Sequence, residues 1–285
     1  VPGRLRGRYF GNRSQVVRIF MLISSLLAGA ILNSYEESNT FNGFTIIFSL
    51  GMIANIGSIY FLKRQYEPED TTNDETFEIN SIKTKMDSGL KRFIIYDSLS
   101  EFSFHVSGPL MMVYWLRDLS FDYIELAIII NVSQVLGLFS MRYWGKRIDN
   151  NGSFTTIRST SFCIAILPIL WIGNYYLPNE LILAGSIIIA SIASLMFSGR
   201  ALALDNRLYE HMKNKKMIQV TSKRVFFRGL SIFIGGLIGG LLTTNESSLS
   251  IYIELDTVIH AVMVFSTVLR LGVWLYFPVD KKSKI

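Results

Sequence analysis

The chain has 285 residues, of which 50% are hydrophobic and only 18% are charged, and its mean hydropathy is +0.35. Soluble domains of this size carry more charge, so the composition excludes an ordinary soluble protein. The net charge of +6 does not indicate nucleic-acid binding, because the basic residues are scattered over short polar segments instead of forming one basic face. A single cysteine, Cys163, excludes a disulfide or a cysteine metal site within the chain.

Long hydrophobic stretches recur along the whole chain. A helix needs about 20 mostly apolar residues to cross a bilayer core about 30 Å thick, and eight segments approach or exceed that length. We predict helices because open sheet edges cannot be satisfied in lipid. The sequence therefore predicts an all-α polytopic helical bundle with membrane-spanning helices near residues 18–35, 41–62, 93–116, 121–141, 159–177, 180–204, 225–244 and 251–277.

Basic residues are concentrated in every second gap between these stretches. Nearly all of the 28 lysine and arginine residues lie in or close to residues 1–18, 63–92, 142–158, 205–223 and 278–285, whereas the opposite gaps contain Arg117 alone. Because lysine and arginine near span ends are retained on the cytoplasmic side, this pattern predicts a multi-pass membrane protein with both visible ends in the cytoplasm. We expect the cell membrane as its location.

The longest polar segment, residues 63–92, cannot bury enough apolar surface to fold alone. It divides the chain into residues 1–62, a cytoplasmic linker at residues 63–92, and residues 93–285. Within the linker, Ile79 and Ile82 recur with Met86 at helical spacing. This spacing fits either a short helix on the membrane surface or a solvated linker.

Ionisable residues inside the third span are the first functional candidates. Asp97, Glu101 and His105 are four residues apart and share one helical face. Charged groups within a span are costly and mark transport pathways by default, so we expect this face to line a cavity and to contact substrate or a coupling proton. The alternative is that Asp97 faces the headgroups while the deeper pair makes structural hydrogen bonds. Gly108 and Pro109 follow directly and predict a bend.

Other polar residues within spans support a pathway less directly. Asn131 and Gln134 lie in the fourth span and Arg270 in the last. Arg270 is about 10 Å from the cytoplasmic end, so it can either extend toward the interface or pair with an acidic group in a cavity. Arg200 and Asp205, near the end of the sixth span, are interpreted as an interfacial charge arrangement.

The seventh span contains glycines at four-residue spacing, which permits close helix packing. Such a face fits a sliding surface in a transporter and static packing equally well. The residues are Gly235, Gly236, Gly239 and Gly240.

An internal repeat is indicated when the chain is compared with itself at an offset of 210 residues. Arg18 then falls on Arg228 and Gly29 on Gly239, and the hydrophobic stretches coincide. The first two spans would correspond to the seventh and eighth, so spans three to six should have counterparts before Val1. We therefore expect a truncated chain from a protein of two parallel six-helix repeats, a known transporter plan.

The segment after the fourth span, WGKRIDNNGS, contains Gly145, Arg147, Asp149 and Gly152. Glycines permit a tight turn between helices. Asp149 can pair with a neighbouring basic group or a helix end and so latch the cytoplasmic side. The alternative is an ordinary charged turn.

In Gly145, Asp149 and Gly152 this segment keeps the spacing of the cytoplasmic signature loop of the major facilitator superfamily. The opening VPGRLRGRYFGNR, followed by a glycine-containing span, resembles the loop between the fourth and fifth helices of such permeases. The resemblance covers essentially the whole chain, which is similar to helices five to twelve of twelve. Three positions that carry basic residues in the family differ here: Asn150, Ser153 and Phe154.

The resemblance implies a secondary active transporter that moves a small solute by alternating access, with proton coupling left open. We expect no enzyme, since the sequence has no HExxH, GxSG or GxGD motif. Catalytic residues, metals and cofactors other than a coupling proton are not expected, and the expected partners are the lipid bilayer and a small-molecule substrate, without nucleic acid. The protein is expected to be monomeric. The alternatives are a membrane enzyme and a lipid-handling or signalling membrane protein without solute flux.

Overall fold

A computed structural model describes residues 3–35, 40–64, 88–211, 217–244 and 257–277. Within these ranges the chain is helical and contains no β-strand. The elements are α1 (Gly3–Tyr35), α2 (Thr40–Leu62), α3 (Ser88–Ser107), the single turn α4 (Leu110–Val113), a π-helical turn (Tyr114–Asp118), α5 (Tyr123–Tyr175), α6 (Asn179–His211), α7 (Met217–Thr244) and α8 (Val258–Tyr276).

Five of these helices are long and apolar enough to cross a membrane. Their apolar stretches satisfy their own backbone hydrogen bonds, which the interior of a bilayer requires. The chain is therefore a helical integral membrane protein, as predicted, whereas the eight-span topology and the internal repeat remain predictions. The five stretches are Phe41–Leu62, Tyr123–Tyr175, Asn179–Leu208, Val220–Thr244 and Val258–Tyr276.

The chain forms two compact units, and the first contains α1, α2 and Phe121–Asn131 at the start of α5. α1 contacts α5 closely at Gly29, where an added Cβ would lie 2.9 Å from the carbonyl oxygen of Tyr123. Ser25 donates a hydrogen bond of 2.8 Å to the side-chain oxygen of Asn131. Small and polar residues thus hold these helices together, as is common in membrane proteins.

The second unit contains α3, α4, the remainder of α5, and α6 to α8. Its core gathers the start of α3 and α7 with the ends of α6 and α8. The Phe277 ring lies 4.2 Å from the Tyr96 ring and is stacked on Phe154 at 4.7 Å, measured between centroids. The buried core residues are Leu90, Phe93, Ile94, Tyr96, Ile148, Ile157, Ala203, Leu204, Leu208, Val220 and Phe277.

α5 turns at Gly152, which has φ 81° and ψ 157°, a conformation that favours glycine. The segments before and after it are both helical, so the predicted loop at residues 142–158 is a turn at one residue. Gly145, Arg147 and Asp149 lie in the first helical segment. Beyond the membrane, lysine and arginine remain good helix formers, so a polar composition does not end the helix.

The predicted third span is not one continuous helix. α3 ends at Ser107, and Gly108 and Pro109 form a turn before α4. Proline lacks the N–H that would continue the helical ladder. After the turn, Tyr114 donates a buried hydrogen bond of 2.9 Å to the carbonyl of Trp171, which fixes the π-helical turn against α5.

Several predictions concern residues outside the described ranges. They include most of the linker, with the proposed surface helix at Ile79, Ile82 and Met86, and residues 251–256 at the start of the last predicted span. They remain predictions from the sequence.

Candidate functional site

The second unit contains a cavity of about 630 Å³, which lies within the size range of small-molecule sites. It is lined by α3, α4, the π-helical turn, α5, α6, α7 and α8. Its ionisable lining residues are Glu101, His105, Arg200, Asp205, Arg224, Arg228 and Arg270, and its large apolar lining residues are Phe104, Met111, Trp115, Leu167, Trp171, Phe197 and Leu204.

The predicted polar face of α3 lies inside this unit. Glu101 and His105 line the cavity. Asp97 lies one turn earlier and is completely buried, so its carboxylate does not face the headgroups. The Glu101 side chain is only 5% exposed, whereas that of His105 is 33% exposed.

Asp97 is held by two arginines from different helices. Arg224 of α7 donates from Nε to Oδ2 of Asp97 at 2.8 Å, and Nη2 of Arg200 from α6 lies 3.5 Å from Oδ1. Arg224 also donates from Nη1 to Asp205 of α6 at 2.9 Å. One guanidinium group therefore connects α3, α6 and α7.

Glu101 forms a second junction one turn further along α3. Its Oε1 lies 3.3 Å from Nη1 of Arg200 and 3.3 Å from Nη2 of Arg228. Nδ1 of His105 lies 3.7 Å from Oε2 of Glu101 and 2.9 Å from the carbonyl oxygen of the same residue. Glu101 thus contacts two guanidinium groups and one imidazole.

Sequence analysis missed the arginines of this network and placed Arg200 at the interface. The structure corrects this interpretation, because the Arg200 side chain is only 4% exposed and contacts both carboxylates of α3. The sequence did offer one signal for these arginines, because a buried carboxylate needs a positively charged partner. Asp97 and Glu101 are four residues apart in α3, and their partners Arg224 and Arg228 are four residues apart in α7.

Arg270 points inward and pairs with no acidic group in the described part of the chain. It is 8% exposed and lines the cavity. Its Nε donates to Ser266, its Nη1 to the carbonyl of Ile164, and its Nη2 to Ser107 and, at 3.4 Å, to the carbonyl of Phe104. These acceptors lie on α3, α5 and α8 and draw the guanidinium inward.

Two other predicted pathway residues do not line the cavity. Asn131 belongs to the first unit, where it bonds Ser25 and the carbonyl of Ala127. Gln134 is exposed and does not contribute to the cavity wall. Ser133, its neighbour in sequence, lines the cavity instead. The fourth predicted span therefore contributes a different polar residue.

The glycines of α7 pack against α3. A Cβ added at Gly235 would lie 2.6 Å from the carbonyl oxygen of Phe102, and one added at Gly239 would collide with the carbonyl oxygen of Val106. A Cβ added at Gly236 would lie 3.8 Å from Pro109, an ordinary contact, and one added at Gly240 would have nothing within 4 Å. Two of the four glycines are thus needed for backbone contact, and Gly108 lines the cavity.

The segment around Gly152 contains no ion pair of Asp149 within the described part of the chain, and Asp149 is exposed. Arg147 instead donates to the Tyr143 hydroxyl at 3.2 Å and lies 5.8 Å from the Trp144 ring centroid. The latch role of Asp149 stays a prediction.

Among the described residues, no group of three or more His, Cys, Asp or Glu side chains is placed to hold a metal ion. No protein-family model matches the sequence, and no curated protein is significantly similar to it. The fold and the cavity define the class, a helical membrane protein with a cavity lined by ion pairs, and the chemistry of that cavity carries the functional proposal.

Proposed function

We propose that this protein is a secondary active transporter that moves a small solute by alternating access, with the architecture of the major facilitator superfamily. The observation that carries the proposal is a solute-sized cavity lined by ionisable groups among helices apolar enough to cross a membrane. Ionisable residues are costly in such a setting and mark substrate and ion pathways.

The arrangement of the charges favours movement over chemistry. The ion pairs join α3 to α6 and α3 to α7, so they can be exchanged when helices move relative to each other. The His105 ring contacts Glu101 and does not activate a hydroxyl group in the described part of the chain. A nucleophile beside a base, which an enzyme of this kind would need, is not formed by His105.

A coupling proton would have its site at His105 and Glu101. Imidazole changes charge near physiological pH, and a proton on His105 would strengthen its contact with the Glu101 carboxylate. In the proposed topology the basic segments, including residues 63–92 and the turn at Gly152, lie on the cytoplasmic side of the cell membrane.

Alternating access can be tested by chemical labelling in the full-length protein. In a Cys163→Ser background, Ala193→Cys places a thiol in the cavity wall, and Ile188→Cys on the same helix is a control whose side chain is 60% exposed outside the cavity. A membrane-impermeant maleimide should modify Ala193→Cys from either side of the membrane and Ile188→Cys from neither. Modification of Ala193→Cys from one side only contradicts alternating access.

Solute flux separates a transporter from its alternatives. Proteoliposomes with the full-length protein should accumulate or release at least one solute of a metabolite mixture, measured by mass spectrometry against empty liposomes. If Glu101 carries the proton, Glu101→Gln should remove the dependence of flux on the pH gradient. A lack of flux for every solute, together with one-sided labelling, would favour a lipid-handling or signalling protein.

A further inference from the structure

The cavity has an uneven balance of charge. Four arginines line it, and each of Arg200, Arg224 and Arg228 has a carboxylate within 4 Å. Arg270 has no carboxylate within that distance in the described part of the chain. Since Asp97, Glu101 and Asp205 are the carboxylates that pair with the other three arginines, one positive charge is uncompensated among the described residues, and it lies on Arg270.

The hydrogen bonds that hold Arg270 do not neutralise its charge. Its four hydrogen bonds all go to uncharged oxygen atoms, namely two carbonyls and two serine hydroxyls. A guanidinium group stays protonated in proteins, and a buried charge is costly without a partner of opposite sign. The site therefore favours an anion entering the cavity.

A second guanidinium, that of Arg200, packs against the same aromatic ring as Arg270. The central carbon atoms of Arg200 and Arg270 are 4.8 Å and 5.1 Å from the ring centroid of Phe104. Nε and Nη2 of Arg200 are buried and have no hydrogen-bond partner among the described residues, although Nη2 lies 3.5 Å from Asp97. Unused donors at a buried site are costly, so a hydrogen-bond acceptor here would be stabilised.

The remaining wall is apolar and aromatic. Trp115 and Trp171 have ring centroids 5.4 Å apart, and Met111 and Leu167 line the same cavity. Nε1 of Trp115 is another buried donor without an acceptor. Within this cavity the unsatisfied buried atoms of the lining residues are all N–H donors. The cavity wall thus combines apolar surface with N–H donors that lack an acceptor.

We propose that the solute is an amphipathic organic anion, with a carboxylate bound by Arg270 and Arg200 beside Phe104 and an apolar body against Trp115 and Trp171. Arg200 can present its unused Nε and Nη2 as two parallel N–H groups to a carboxylate, whereas Arg270, whose Nε and Nη2 are already bonded, contributes its charge and its remaining Nη1 N–H. The proposal rests on the proposed transport function, because it names the solute class of the same cavity.

Three matched probes test the charge preference with the full-length wild-type protein in detergent. 4-Phenylbutyrate, 4-phenylbutanamide and 4-phenylbutylamine share one apolar body and carry an anionic, a neutral and a cationic head. Isothermal titration calorimetry should show the anion binding at least about tenfold more tightly than the amide, and the amine more weakly than both. Equal binding of anion and amide, or tighter binding of the amine, overturns the proposal.

Substitutions test which residue causes the preference for the anion. Arg270→Gln should abolish the difference between anion and amide, whereas Arg270→Lys, which keeps the charge but cannot make all four hydrogen bonds that hold it in place, should reduce it. Arg158→Gln removes the same charge from an exposed position and should leave anion affinity within about twofold. If Arg270→Gln does not fold, Arg270→Lys decides, and full retention of the preference in that variant overturns the proposal.

Flux measurements distinguish failure of this inference from failure of the transport function. Preferential anion binding without any movement of solute across proteoliposomes supports the anion site and contradicts transport. Clear flux of a neutral or cationic solute, with no preference for the anionic probe, supports transport and contradicts the anion site.

Discussion

α2 and α3 handle their polar side chains in opposite ways. α2 is one of the five apolar helices, and its most apolar stretch has no buried residue. Its polar side chains bond the backbone one turn earlier: Thr45 bonds Phe41, Ser49 bonds Thr45, and Asn55 bonds Gly51. These three polar side chains are satisfied within the helix, so α2 needs no neighbouring helix for them.

α3 does not qualify as an apolar span, yet it is the centre of its unit. Its polar groups reach other helices: Tyr96 bonds Ser161 at 2.8 Å, Asp97 pairs with Arg224, and Ser107 bonds Ser266. The comparison teaches that hydropathy identifies the helix suited to lipid, whereas the helix that builds the site is the one whose polar groups are satisfied by others.

The largest expected difference between the two helices concerns Asp97. Asp97→Ala leaves the buried Arg224 and Arg200 without this carboxylate, and breaking a buried pair costs about 3–5 kcal/mol. We expect a large loss of folded protein, measured by size-exclusion chromatography after heating in detergent. Ser49→Ala in α2 should change stability by less than about 0.5 kcal/mol. Equal effects of the two substitutions would remove the contrast.

A smaller effect is expected at the glycines. Gly239→Ala places a methyl group against the Val106 carbonyl of α3, and overpacking of this kind costs about 1–3 kcal/mol. Gly51 in α2 and Gly240 in α7 have nothing within 4 Å of an added Cβ, so alanine there should be neutral or stabilising by up to about 1 kcal/mol. The same heating assay measures all three variants. Destabilisation by Gly240→Ala as large as that by Gly239→Ala would contradict the assignment of the cost to contact with α3.

The smallest effect is expected for a single hydroxyl group. Tyr96→Phe removes the hydrogen bond to Ser161 from a side chain that is 1% exposed, at a cost of about 1 kcal/mol. Tyr60→Phe in α2 changes a side chain that is 53% exposed and retains its ring beside Arg64, so no measurable change is expected. A melting curve monitored by tryptophan fluorescence resolves the comparison, which fails if Tyr60→Phe is the more damaging change.

Helices and candidate residues were predictable where the signal is local. The apolar stretch of α2 and the four-residue spacing of Asp97, Glu101 and His105 can be read from neighbouring residues alone. The partners of the carboxylates could not be read in this way, because Arg224 is 127 residues from Asp97 in sequence. Spacing predicts a shared face but does not identify the helix that packs on it.

The orientation of the Arg270 side chain could not be predicted from neighbouring residues either. From its position in the span, extension toward the interface and an inward orientation were both open. The outcome depends on acceptors supplied by Ile164, Phe104 and Ser107, which belong to other helices. At Gly152 the glycine was a predictable turn position, but the extent of helix on either side was not, since polar residues outside a membrane can continue a helix.

The contacts between α3 and α7 repeat along both helices with one period. Asp97 and Glu101 meet Arg224 and Arg228, and further along Phe102 and Val106 meet Gly235 and Gly239, so the helices run parallel and each set advances by four residues. A translation of α7 by four residues, about 6 Å, would therefore bring Arg224 opposite Glu101 and Gly235 opposite Val106, whereas Asp97 would lose its arginine on α7. One charge pair and one backbone contact would be kept in that shifted register. The four-residue spacing thus gives α3 and α7 a second register in which part of their interface would fit again.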